Sequence, residues 1–470
     1  MAPERYSLAD VLSIARIHPF YCEDVQYPPN ADAIQAALEQ STKETATSDL
    51  LTQPLLEKKS IYKAVERLVK DASPENTYRQ SSYMSITGGG GGGVPMLFAV
   101  DVHENRQQRM QMGKFLRLCR VIDPRDWVLS IHVAGGFYRS LDLTTEIMEN
   151  AGATVLSGGN NMTLQEIIQA LVHYRVNVLT GDGSQVVQVI HHISTLPPVE
   201  RAGITLNKII YTSEPLTRPQ RDLVRATLPG VAIYSVMGSS EAGPWAISNP
   251  HLTGEETLVT DSSGTADFVF DTRNMHIEIL PQTLLTEGGS LGSLHSHPLP
   301  LGEPGIIVQT SLQRLRNPLV RYITGDIGSL HPLPEPASAL IPACERQYLR
   351  VLRMQGRDRR FSFKWDGYYI EFENLKALMQ AEGYGILQWQ VILDQLEDSL
   401  QRTLEVRLLQ APSGERGIIA REELIKRVRD FFLVLPENEG LFRLVFVDDL
   451  DGFERSSTAG KVIHFIDRQH

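Results

Sequence analysis

Six consecutive glycines, Gly88 to Gly93, lie in the stretch SITGGGGGGVPM. A run without β-carbons lets backbone N–H groups converge on an anion. It also describes a flexible linker. The strand-like SSYMSI before it and VPMLFAV after it place the run inside a structured region, and Pro95 stiffens its exit. Other chemistry-bearing residues are less telling. His191 and His192 are adjacent, and His295 and His297 sit in HSHP, but neither group has partners at metal-ligand spacing. Cys22, Cys119 and Cys344 lie far apart, with no metal spacing and no disulfide framework, which fits reduced thiols in an intracellular compartment.

The elements that must position these residues come from periodicity. NADAIQAALEQ and KSIYKAVERLVKD space apolar residues by three and four, so residues 1–80 read as mostly helical. From about residue 125, short β-rich runs (WVLSIHV, GATVLSG, NVLTG, KIIYTS) alternate with helical patterns such as LQEIIQALVHYR and GSQVVQVIHHIST. That alternation predicts a parallel sheet covered on both faces. ADFVF, MHIEIL, GIIVQTSL and LVRYITG follow without helices between them, predicting a smaller antiparallel or barrel-like sheet. After QGRDRRFSFKWDG comes an α+β pattern of about 110 residues, read as a second domain. The expected organisation is a large α/β domain over 1–355 and a small α+β domain over 356–470.

Composition bounds the function. A chain of 470 residues, 42% hydrophobic, is long enough for more than one domain. A net charge of −11 gives no electrostatic reason to bind nucleic acid or an anionic membrane. No window approaches 18 uncharged apolar residues, MAPERYSLAD is not a secretory leader, and the terminal RQH is no peroxisomal address. A cytoplasmic protein is expected.

Ordered motifs follow the glycine run: YTSEPLT (211–217), SVMGSSEAGP (235–244), PLVRYITGDIGSL (318–330), QGRDRR (355–360) and SSTAGKVIHFIDRQ (456–469). Together they resemble the adenylate-forming superfamily of acyl-CoA synthetases, peptide-synthetase adenylation domains and luciferases. HPFYCED, QPLLEKKSIYKAV, AGGFYRSLDLTTEIMENAGATVLSGGNNMTLQEIIQAL and LPLGEPGIIVQTSLQRLRNPLVRYITGD are similar to the phenylacetate–CoA ligase branch. The resemblance runs from about residue 15 to 468. It implies activation of a carboxylic acid by ATP to an acyl-adenylate, with release of pyrophosphate, then transfer to coenzyme A.

The resemblance also implies roles. Thr87, Gly88, Gly89, Gly90, Gly91, Gly92 and Gly93 would cradle the β- and γ-phosphates. Glu241 would hold Mg²⁺, and Ser240 would bond near the α-phosphate beside Gly238 and Ser239. Ser213, Glu214 and Pro215 would line the adenine edge, with Met237 packing on the purine. Asp326 would accept both ribose hydroxyls. Arg357 would contact ribose or phosphate from the hinge, and Lys461 would reach the carboxylate and α-phosphate oxygens during adenylation. The acid would lie among His132, Phe137, Tyr138, Gly181, Asp182 and Gly183; for His132, Phe137 and Tyr138 a core reading stands equal. The family often forms dimers.

Three departures stand out. The family's loop carries Ser, Thr and a Lys before its proline; here the loop is glycine and the Lys position is Val94. Met237 replaces an aromatic residue. The hinge reads Asp358, Arg359, Arg360 in place of an aspartate pair. Three functions therefore compete: an aryl or arylacetic acid–CoA ligase, an adenylating enzyme with an amine or carrier-protein acceptor, and a nucleotide- or acyl-binding protein.

Overall fold

The structure, a computed structural model, describes residues 5–41, 50–86, 97–135, 137–212, 216, 218–254, 265–284, 297–357, 362–381, 383–396, 401–410, 419–455 and 462–468. Thr87, glycines 88–93, Val94, Ser213, Glu214, Pro215, Asp358, Arg359, Arg360 and Lys461 lie outside the described residues. The chain forms two compact units: described residues up to Gly356 make the large one, and those from Arg357 the small one.

The large unit opens with helices Leu8–Ala15, Ala31–Glu39 and Lys58–Lys70. In the third, Ile61, Val65 and Leu68 are fully buried, as their spacing predicts. Strands β1 (Ser82–Ile86) and β2 (Leu97–Asp101) then pair antiparallel, with Ile86 opposite Leu97 at the end of the ladder. The glycine run thus connects two strands paired to each other; it is not a linker between bodies.

Eleven strands build the main sheet: β3 (Trp127–Ser130), β4 (Thr154–Ser157), β5 (Val178–Asp182), β6 (Lys208–Thr212), β7 (Ala232–Ser239), β8 (Gly243–Ser248), β9 (Ala266–Asp271), β10 (Met275–Leu280), β11 (Gly305–Ser311), β12 (Tyr322–Pro332) and β13 (Leu349–Arg357). Their spatial order is β10-β11-β12-β13-β9-β8-β7-β6-β5-β3-β4. Strands β3 to β7 are mutually parallel, and β8 reverses direction against β7. The antiparallel strands expected downstream are thus continuous with the parallel set.

Helices cover both faces of the parallel half. Val128, Val178 and Ile210 point into a cluster with helices Val102–Leu118 and Ser140–Asn150. Their neighbours Leu129, Leu179 and Ile209 point the other way, into helices Leu164–His173, Gly183–Thr195 and Arg218–Thr227. Two buried faces are why these strands read as unbroken apolar runs. Each such side chain contributes roughly 1.5–3 kcal/mol of burial. Because β3 pairs with β4 on one side and β5 on the other, the chain reverses its winding there. In open α/β sheets that switch point opens a crevice at the carboxyl ends of the strands.

The small unit holds a hairpin of β14 (Ser362–Trp365) and β15 (Tyr368–Glu371). It adds a four-stranded sheet, order β18-β17-β16-β19, from β16 (Ile386–Gln395), β17 (Arg402–Gln410), β18 (Phe442–Phe446) and β19 (Phe465–Asp467). Helices Phe372–Met379 and Arg421–Phe431 pack on it around the fully buried Trp365, whose indole N–H donates to the Arg402 carbonyl at 3.0 Å. Among the described residues, no helix is long and apolar enough to cross a membrane.

Candidate active site

The motif GSSEAGP folds as the tip of the β7–β8 hairpin, with Ser240–Ala242 as its turn. Gly238 is required by close packing: a β-carbon there would meet the Gly243 carbonyl oxygen at 2.8 Å. Gly243 adopts φ +70°, a backbone glycine tolerates best. Ser239 Oγ accepts from the Ala242 amide at 3.0 Å, closing the turn. Ser240 Oγ donates to the Ile86 carbonyl at 2.7 Å, and Ser85 Oγ donates back to the Ser240 carbonyl at 3.5 Å. The turn is therefore stitched to the end of β1, where the glycine run begins. Met237 packs, partly buried, against the neighbouring apolar cluster.

Glu241 is only 5% exposed. Its Oε1 accepts from Tyr62 Oη at 2.7 Å and from Tyr322 Oη at 3.3 Å. Burial would raise its pKa, but Lys58, the Tyr62 phenol and neighbouring groups outweigh burial and hold it below the usual carboxylate value. Lys58 and Tyr62 come from the helix Lys58–Lys70, docked by Leu56, whose amide donates to the Arg321 carbonyl at 2.9 Å beside Tyr322. The site thus holds one ionised carboxylate with two phenols on a single oxygen. Among the described residues no three His, Cys, Asp or Glu side chains are arranged to hold a metal. A lone carboxylate of this kind suits Mg²⁺, which takes one or two carboxylates and fills its shell with water and phosphate oxygens.

Asp326 lies on β12, four residues beyond Tyr322. Between Ile306 and Val308 the β11 register slips: Ile306 faces Ile327 and Val308 faces Ile323. The extra residues of β12 bulge out around Gly325, at φ +79°. Such bulges re-aim side chains beside sites. Asp326 is half-buried there, its amide donating to Thr324 Oγ1 at 3.0 Å, while Thr324 Oγ1 bonds the Ile307 carbonyl.

Arg357 is the last residue of β13. The segment carrying Lys461 leaves the described chain after Arg455 and re-enters at Val462, and these two residues form an antiparallel bridge. Beneath it, fully buried Gln390 donates through Nε2 to the Glu454 and Ile463 carbonyls at 2.9 and 2.8 Å, and its Oε1 accepts the Glu454 amide at 3.1 Å.

Of the residues expected around the acid, His132, Gly181, Asp182 and Gly183 lie together at the switch point, after β3 and at the end of β5. His132 follows β3 and is fully buried; its Nε2 meets Thr180 Oγ1 at 3.1 Å and its Nδ1 lies 3.5 Å from Asp182 Oδ1. Asp182 ends β5, accepts from Thr212 Oγ1 at 3.1 Å and caps the helix that Gly183 begins. Gly181 is needed because a β-carbon would fall 2.8 Å from Ile131 Cγ1. Phe137 and Tyr138 are not core residues: they are 75% and 42% exposed on a turn where the Tyr138 amide bonds the Gly135 carbonyl.

No protein-family model matches the chain, and no curated protein matches it. Solved structures do. A 2-hydroxyisobutyryl-CoA ligase, in complex with 2-HIB-AMP and CoA, aligns over 98% of this chain and 88% of its own, with TM-score 0.61 and 16% identity. The amide bond synthetase McbA from Marinactinospora thermotolerans aligns over 97% of this chain and 91% of its own, with TM-score 0.50 and 14% identity. The chain has the adenylate-forming fold. At such identities the likeness is one of architecture. Tyr62, Tyr322, Arg314 and Gln108 around Glu241 were not singled out from sequence: Tyr62 lies 179 positions from the carboxylate it bonds, in a helix whose periodicity reports only its buried face.

Proposed function

We propose that the protein activates a carboxylic acid with ATP. A carboxylate oxygen attacks the α-phosphorus, the bond to the β-phosphate oxygen breaks, and pyrophosphate leaves. The thiolate of coenzyme A then attacks the acyl carbonyl and AMP departs. The reading rests on Glu241, an ionised, buried carboxylate at a hairpin tip tied to the start of the glycine run, in a fold of this kind.

In this reading Glu241 anchors Mg²⁺, which would neutralise charge on the phosphate oxygens. Backbone amides of Gly88–Gly93 hold the β- and γ-phosphates without the side-chain donors that the family's loop supplies. Asp326 orients the ribose, Ser213–Pro215 and Met237 flank adenine, and Arg357 contacts ribose or phosphate. Lys461 stabilises the negative charge that builds during adenylation. Residues 356–470 carry Lys461 to the site and withdraw it for the thiol step. The acid is aryl or arylacetic, as the likeness to the phenylacetate–CoA ligase branch suggests. An amine acceptor is the second reading, favoured by the fold shared with an amide bond synthetase.

Carboxylate-dependent exchange of labelled pyrophosphate into ATP tests the first step, across aryl, arylacetic, amino and fatty acids. Exchange with one class, lost in Lys461→Ala, supports adenylation. Silence across the panel, with ATP still bound, overturns it in favour of a nucleotide-binding protein. Product analysis with coenzyme A and amines then separates the two acceptors.

A further inference from the structure

Arg314 lies under the Glu241 turn and is 2% exposed. Among the described residues it has no carboxylate at ion-pair distance. One guanidinium nitrogen, Nη1, donates to the main-chain carbonyl of Glu241. Nη2 reaches Gln108 Oε1 at 3.5 Å, Nε has no hydrogen-bond partner, and the guanidinium sits 5.6 Å from the centre of the Phe98 ring. Gln108, itself buried, donates through Nε2 to the next carbonyl, that of Ala242, at 2.8 Å. It presses so closely that a β-carbon on Gly243 would fall 2.4 Å from its Oε1. Both outward carbonyls at the hairpin tip are therefore gripped from below by side chains.

Sealing a guanidinium away from water with no carboxylate at ion-pair distance among the described residues costs several kcal/mol. Two carbonyls could be satisfied by neutral donors or a water at far smaller cost. Burial lowers the Arg314 pKa to about 10, opposed by Glu104 and Glu241, so it remains a cation at neutral pH. A charge-assisted bond to Glu241's own peptide fixes that residue from behind, while Tyr62 and Tyr322 fix the carboxylate from the front.

We infer that Arg314 and Gln108 are positioning residues, which lock the Ser240–Ala242 turn and so aim the Glu241 carboxylate at a metal-bound triphosphate. The metal arm of this inference rests on the adenylation reading; the locking of the turn does not.

The test compares full-length wild type with Arg314→Lys, Gln108→Leu and Glu241→Gln. Binding of Mn²⁺ in the presence of ATP is followed by electron paramagnetic resonance, and hydrogen exchange is followed over residues 239–243. Arg314→Lys and Gln108→Leu are expected to weaken Mn²⁺–ATP binding about 10- to 100-fold. Exchange at the turn should quicken by about tenfold, and Gln108→Leu, which leaves the Ala242 carbonyl unpaired, should fold with a melting temperature moderately below wild type. If Glu241→Gln loses metal–nucleotide binding while both clamp variants keep wild-type binding and exchange, the inference is overturned. If wild type itself binds no Mn²⁺–ATP, the adenylation reading fails, and turn exchange alone then decides whether the clamp exists. Should Arg314→Lys not fold, Gln108→Leu, which alters no charge, carries the test with the same outcomes.

Discussion

Arg314 and Arg321 are seven residues apart and equally hidden from water, yet they are treated in opposite ways. Arg321 is fully matched. Its Nε and Nη2 meet the two oxygens of buried Glu278 at 3.1 and 3.0 Å, and Nη1 donates to the Leu51 and Gln53 carbonyls at 3.2 and 2.9 Å. Among the described residues, Arg314 has no carboxylate at ion-pair distance and one nitrogen without a hydrogen-bond partner, and it bonds the backbone of Glu241. The first arginine joins β10, β12 and the N-terminal segment. The second is buried without an ion-pair partner among the described residues and bonds the peptide of one turn. A saturated buried ion marks architecture, whereas an unsaturated one marks a place where geometry has taken precedence over stability.

The largest way to break that contrast is at the saturated ion. Arg321→Met strands the Glu278 charge and should destabilise the large unit by about 3–5 kcal/mol in urea denaturation. Adding Glu278→Leu should recover much of that loss, whereas no such rescue exists for Arg314. Next in size are the groups proposed to act on substrate. Glu241→Gln and Lys461→Ala should each lower pyrophosphate exchange by about 10²–10³, with melting temperatures near wild type.

A third test uses Glu104, a buried carboxylate whose Oε1 bonds the amides just after Arg314. Its Oε1 accepts from the Leu315 and Arg316 amides and from Tyr6, while among the described residues Oε2 has no hydrogen-bond partner. Burial, with Asp101 adding to it, raises its pKa to about 7. The folded protein therefore keeps a proton that the unfolded chain releases near 4.5. Stability should fall between about pH 5 and pH 8 by about 2–3 kcal/mol, and Glu104→Gln should flatten that slope in denaturation at the two pH values. Smaller again is Gln390→Leu, which leaves the Glu454 and Ile463 groups unpaired; a loss of about 1–3 kcal/mol in the small unit is expected. Ser240→Ala, at the edge of the clamped turn, should cost only about 1 kcal/mol while slowing exchange.

Much of the fold was readable because its causes are local. The spacing of Ile61, Val65 and Leu68 specifies a helix face, and the apolar runs around Val128 and Val178 specify strands buried on both sides. Glu241 and Asp326 stood out because GSSEAGP and TGD resemble motifs of a known superfamily, not from turn chemistry, which alone would read them as solvated turn residues. Their environments were not readable. The Asp326 bulge depends on register against β11, and the phenols on Glu241 come from Tyr62 and Tyr322, far apart in the chain. His132, Phe137 and Tyr138 were undecided between core and contact for the same reason. Only the packing of β3 against β5 shows that the first is enclosed and the other two are not.

The pairing of Ile86 with Leu97 has a consequence for scale. It leaves residues 87–96, ten in all, to go out from the strand ends and come back. At roughly 3.3–3.6 Å per residue, such an excursion reaches no farther than about 17 Å. Ser240, one position from Glu241, donates to the Ile86 carbonyl at the start of that span. Removing two glycines would draw the radius in by about 3 Å. The closure entropy would change by only about 0.2 kcal/mol. The length of the run and the stability of the fold are thus nearly independent variables.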